Sequence, residues 1–193
     1  FQPIIDVAAN QIHHFEALSR FTSDRPTQEL IQMAEQSGLV EDLDLVVLDM
    51  VIESIRQRRG TGWIHTVAAN VSARTVESTM YKDAILETLG NAKKYTSQLM
   101  LELTETVAID DFGKLDDHLG ALQKAGCRIC IDDVGAGTTS FETLISLPAD
   151  FMKLDGGLLN RAKEQKAARD AVGAIAEMCR ARRIPIIAEH IED

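Results

Sequence analysis

From Trp63 onward the sequence repeats one rhythm, an apolar strand-like run followed by a stretch of helical periodicity. "WIHTVAANVS" precedes a helical pattern near 75–90, "QLMLELTE" one near 114–125 and "CRICIDD" one near 139–146. "DFMKLD" precedes a long pattern near 162–183, and "IPIIAEHIE" closes the chain as a last strand. Repeated strand–helix units imply a parallel sheet covered by helices. Ahead of them, "QPIIDV" and "IHHFEALSRF" flank the turn-like "AANQ", which predicts a hairpin. "TQELIQMAEQSGLV" predicts a helix from Thr27 to near Gly38. "EDLDLVVLDMVIESIRQRRG" predicts a longer one, with arginines in its last turn and Gly60 after them.

The rhythm leaves two architectures. A doubly wound nucleotide fold should carry G-x-G-x-x-G after its first strand, and the sequence has none. The alternative is a (β/α)₈ barrel, which takes about 250 residues. Here 193 residues supply seven strands, and the last has no helix after it. The expectation is an α/β chain with a TIM-like (β/α)₈ barrel and an N-terminal hairpin. Its final strand–helix unit is missing, so residues 1–193 read as one domain, C-terminally incomplete.

Composition excludes several functions. The formal charge is -10, which repels nucleic-acid backbones and anionic lipid. No DNA or RNA duplex is therefore expected as a partner, and no membrane contact by this domain. No run reaches the roughly 18 apolar residues of a membrane span, and Phe1 opens directly onto a strand rather than a signal peptide. The start looks trimmed, so the full-length protein could still be membrane-anchored. Three cysteines, an odd number, argue against a disulfide framework and for a reducing, cytoplasmic setting. Cys127 and Cys130 form C-x-x-C along a strand rather than at a helix start, so they read as buried thiols, not a redox pair.

The strand ends carry the chemistry. In a barrel, catalytic residues come from the C-terminal ends of several strands. Those ends hold Glu16, Asn70, Glu102 with Glu105, Asp132 with Asp133, Lys153 with Asp155, and Glu189 with Glu192. Glu102 lies between Leu101 and Leu103, so the leucines can face the helices while Glu102 faces the barrel axis. Glu16 alternates likewise with Phe15 and Ala17. Carboxylates converging on one mouth repel unless cations join them. Oxygen donors suit Mg²⁺ or Mn²⁺. The histidines show no zinc-type spacing; His13 and His14, adjacent on a strand, are expected to face opposite ways. One carboxylate shared between two cations is the layout of two-metal phosphodiester hydrolysis. A nearby lysine, Lys153 in its apolar "DFMKLD" setting, can position the attacking water and offset charge. No G-x-S-x-G elbow or P-loop competes with this scheme.

With "FEALSR" at 15–20, "ELTE" at 102–105, "IDDVGAG" at 131–137 and "AEHIE" at 188–192, the chain resembles the EAL domain family. These bacterial phosphodiesterases hydrolyse cyclic di-GMP to linear pGpG. The resemblance covers almost the whole chain. It implies that Glu16, Asn70, Glu102 and Asp132 bind one metal. It further implies that Asp132 bridges to a second, shared with Asp133 and Glu189. Lys153 would contact the catalytic water, and Glu105 would anchor the loop after the aspartate pair. Gln2, Leu18 and Arg20 would contact the dinucleotide. Two Mg²⁺ or Mn²⁺ ions per site are implied. Homodimers occur in the family, as do fusions to sensor or diguanylate-cyclase modules.

Three departures qualify the match. The family's "DDFGTGYSS" is "DDVGAGTTS" here, with Val134 and Thr138 in place of two aromatics. That loop is associated with dimer coupling and ordering of the second metal. "EALLR" is "EALSR", with Ser19. A glutamine expected about one unit after the last strand is not reached by Asp193. The alternative to an active enzyme is an inactive cyclic di-GMP receptor or a protein-interaction domain.

Overall fold

The computed structural model describes residues 1–58, 61–104, 111–136 and 141–189. Glu105, Thr138 and Glu192 lie outside the described residues. Strands β1 (Gln2–Asp6) and β2 (Gln11–Ala17) form the expected antiparallel hairpin. The Asp6 carboxylate closes its turn by accepting from the backbone N–H groups of Ala8 and Ala9, both at 2.9 Å.

β2 then pairs in parallel with β3 (Thr66–Ser72), and the ladder continues through β4 (Leu99–Thr104), β5 (Arg128–Val134), β6 (Phe151–Leu154) and β7 (Ile186–Ala188). The spatial order is the chain order, with no reversal. A doubly wound sheet would reverse at its switch point. One contact shows how far this sheet curls. Four strand spacings separate β2 from β6, about 19 Å in a flat sheet. Yet Lys153 Nζ of β6 stands 3.3 Å from Glu16 Oε2 of β2. Among the described residues the sheet is a curled half-barrel of seven strands, as expected.

Alternation along the strands builds two environments. Val67, Ala69, Val71, Leu99, Leu101, Leu103, Ile129, Ile131, Met152 and Leu154 face the helices and form the main core. Burying one such aliphatic side chain contributes roughly 1.5–3 kcal/mol, so this layer holds helices to sheet. Ala68, Met100, Cys130 and Phe151 face inward and pack with Ile187 as a second, smaller core. Two residues further along each strand, the inward position becomes polar: Asn70, Glu102, Asp132, Lys153 and Glu189. The polar site therefore stands on an apolar floor.

Among the described residues, eight helices cover the outside: α1 (Thr27–Gln36), α2 (Val40–Arg58), α3 (Ala73–Glu77), α4 (Thr79–Asn91), α5 (Phe112–Lys124), α6 (Phe141–Ser146), α7 (Gly156–Glu164) and α8 (Lys166–Arg182). Two expectations are corrected. The helix near 75–90 is two, because Ser78 is extended (ψ 118°) between α3 and α4. The helix near 162–183 is also two, broken at the extended Gln165. Its first half starts upstream because Asp155 caps it, accepting from Gly157 N (3.1 Å) and Leu158 N (2.7 Å). Poor helix formers at Gly156 and Gly157 hid that start. Among the described residues, no helix is long and apolar enough to cross a membrane.

Candidate active site

Lys153 organises the site. Its side chain is 1% exposed, and its ammonium meets four carboxylates: Glu189 Oε1 at 2.8 Å, Asp132 Oδ2 at 3.1 Å, and Glu16 Oε2 and Glu102 Oε2 at 3.3 Å. Burial works against the ammonium. Glu102, Asp132 and Glu16 together outweigh it and hold Lys153 well above the usual lysine range. Burial pushes Asp132 up to about 7, helped by the charges of Glu189 and Glu102 and opposed by Lys153. One cation among four carboxylates leaves the cluster net negative, a setting that favours further cations.

The neighbours complete the geometry. Asn70 donates its amide N–H to Glu16 Oε1 at 3.1 Å. Asp133 takes a positive φ of 55°, where the sheet register breaks between Ile131 and Val134. Aspartate tolerates this conformation better than most residues. The twist lets Asp132, Asp133 and Glu189 each bring an oxygen within 4.8 Å of the other two. A mouth of about 310 Å³ opens above, lined in part by Glu16, Leu18, Arg20, Asn70, Asp132 and Asp133.

The model of the EAL domain family matches residues 1–193. The chain belongs to the EAL domain family. The cyclic di-GMP phosphodiesterase NbdA of Pseudomonas aeruginosa is 28% identical over 199 residues, covering 100% of this chain and 25% of its own length. The solved PaMucR phosphodiesterase, a c-di-GMP complex, superposes with a TM-score of 0.85 at 28% identity, covering 100% of this chain and 80% of that one. BlrP1 of Klebsiella pneumoniae, solved at pH 9.0 as a manganese/cy-diGMP complex, gives 0.80 at 25% identity, covering 99% of this chain and 48% of that one. This EAL domain spans about a quarter of the length of the curated relatives it matches.

The structure thus brings together Glu16, Asn70, Glu102, Asp132, Asp133, Lys153 and Glu189. Leu18 and Arg20 line the mouth, and Arg20 Nη1 donates to the backbone oxygen of Ser19 at 2.9 Å. Gln2 is exposed on β1, in register with Glu16 but outside that mouth. Val134 is buried in the helix-side core. The cysteines are free and buried, and burial raises Cys127 to about 12, far from a reactive thiolate.

Two residues of this EAL domain escaped the sequence reading. Asp44 of α2 is buried and accepts from Ser72 N (2.8 Å) and Thr75 Oγ1 (2.5 Å), tying α2 to the end of the strand that carries Asn70. Its helical spacing looked like an ordinary polar face, so only a check for buried polar positions would have found it. The second is His14. His13 and His14 do not face opposite ways. Ile4 pairs with His14 and Ile5 with Ile12, so His13 is the extra residue of a β-bulge. The bulge breaks the alternation, and the two Nδ1 atoms meet at 2.8 Å.

Proposed function

We propose that this EAL domain is a metal-dependent phosphodiesterase that opens cyclic di-GMP to linear pGpG. The observation that carries the reading is the convergence of Glu16, Glu102, Asp132 and Glu189 on Lys153, beside Asp133, under an open mouth. The residues fit divalent cations on their own evidence. The donors are all oxygens. Glu16, Glu102, Asp132 and Glu189 share the single Lys153 ammonium, which leaves negative charge for cations to offset.

Glu16, Asn70, Glu102 and Asp132 would hold one Mg²⁺ or Mn²⁺. Asp132, Asp133 and Glu189 would hold a second. Bound ions of this kind lower the pKa of a coordinated water and neutralise phosphoryl oxygens. The chain's own groups do the rest. Asn70 brings a neutral oxygen while its N–H keeps Glu16 oriented. Lys153 would place a positive charge at the site floor, where it can orient the attacking water and offset charge on phosphorus. Arg20, exposed at the rim, offers a planar donor fork to a phosphate. Leu18 would give apolar contact to the dinucleotide, and Gln2 would reach it from β1. Glu105 would anchor the loop after Asp133.

Cyclic di-GMP turnover with Mg²⁺ or Mn²⁺ tests this, with Glu16→Ala as control. Metal-dependent pGpG formation that the variant loses supports the enzyme. Ca²⁺, with longer and looser coordination, is expected to inhibit; equal turnover with Ca²⁺ contradicts the two-Mg²⁺ scheme. The second reading, a cyclic di-GMP receptor, draws on Val134 standing buried where the family places an aromatic. Binding of cyclic di-GMP without turnover would establish it instead.

A further inference from the structure

We infer that His14 is a positioning residue for Glu102, with its own tautomer set by His13. The inference deepens the metal-site reading and rests on it. Five strands place Ala68, Met100, Cys130, Phe151 and Ile187 in the apolar floor beneath the site. β2 places a histidine there instead, fully buried at 0% exposure. Its Nε2 lies 3.8 Å from Glu102 Oε1. Neither atom has a hydrogen-bond partner among the described residues, and both are shut off from water. Orphaned polar atoms of opposite character, facing each other in a core, are a hydrogen bond waiting on a small side-chain movement.

The proton placement follows from the partners. A carboxylate only accepts, so Nε2 of His14 must carry the proton to serve Glu102. In the neutral ring, Nδ1 of His14 is then an acceptor. His13 Nδ1, 2.8 Å away, is the donor to it. The β-bulge at His13 is the device that turns that ring inward to do so. His13 is further fixed edge-on against Phe151, with ring centroids 5.2 Å apart. Glu102 would therefore be gripped through Oε1 from below, and Oε2, now on Lys153, would be the oxygen presented to a cation. Outer groups of this kind set the orientation and basicity of metal ligands.

The test uses His14→Phe, which fills the site without a donor, and His14→Gln, whose amide N–H reaches about where Nε2 does. Calorimetric Mn²⁺ titration of the wild-type chain and both variants is the first readout. Phe is expected to weaken Mn²⁺ binding about 10–100-fold and Gln to restore most of it. Nitrogen NMR of the metal-free wild-type chain is the second, and needs no variant to fold. It should show His14 protonated at Nε2 and His13 at Nδ1. His14 protonated at Nδ1 overturns the inference. So does wild-type affinity in His14→Phe, or Gln no better than Phe. A wild-type chain that binds no Mn²⁺ sinks the metal reading itself and this role with it, which is a different result from binding that ignores His14.

Discussion

Lys153 shows what a single residue does at this site. A buried ammonium with four carboxylate partners is the only counter-charge that the metal-free cluster receives from a described side chain within ion-pair distance, apart from His14 near Glu102. Lys153→Met should therefore act twice. It is expected to lower kcat about 10²–10³-fold, as for loss of one preorganised donor. It should also destabilise the metal-free domain by about 3–5 kcal/mol, because buried carboxylates lose their partner. Urea melts in EDTA and in excess Mn²⁺ check this. The loss should shrink with Mn²⁺, since added cations replace the missing charge. A loss unchanged by Mn²⁺ would mean that the carboxylates do not hold the ion. At this scale the sequence was legible in identity but not in contact. The apolar setting of Lys153 announced burial, while its four partners come from four other segments of the chain.

At the scale of elements, Asp44 links α2 to β3 and α3. Burial raises it from 3.8 to about 6, with the charges of Glu41 and Glu35 adding and the bonds from Thr75 and Ser72 opposing. The sign follows from linkage. The folded state keeps a proton that the unfolded chain releases between about pH 4 and pH 6, so this group's contribution falls as pH rises through that window. The rise corresponds to roughly 3 kcal/mol. Asp44→Asn lacks that proton equilibrium. Its stability relative to wild type should improve by roughly that amount between pH 4 and pH 7, measured by parallel denaturant melts. A pH-independent difference would contradict the burial of the charge. Elements were otherwise well announced by periodicity. The two splits, at Ser78 and Gln165, were not, because each is one extended residue inside a helical pattern. A single backbone angle leaves no mark on hydrophobic spacing.

For the molecule as a whole, site and fold share one cause, the curl of the sheet. Mn²⁺ that binds only the folded chain should stabilise it, by about 2.7 kcal/mol at a hundredfold excess over Kd. For a chain of this length that is a rise in melting temperature of about 5–11 °C. Glu16→Ala should lose most of the rise; a full rise in that variant would place the ion elsewhere. What the sequence determined by itself was alternation. Leu101, Glu102 and Leu103 dictate which way each points, because successive side chains of a strand face opposite sides. Repeated strand–helix units likewise dictated a parallel, covered sheet, and so put the polar residues at one end of it. Only the tertiary structure decided which of them meet. Lys153 and Glu16 lie 137 positions apart and touch because the sheet curls. The inward turn of His13 depends on a bulge defined by the partner strand, a register that no local pattern in β2 records. Along an unbroken strand facing is a local property of the chain, whereas a bulge and the proximity of distant strands are properties of how the sheet pairs and curls.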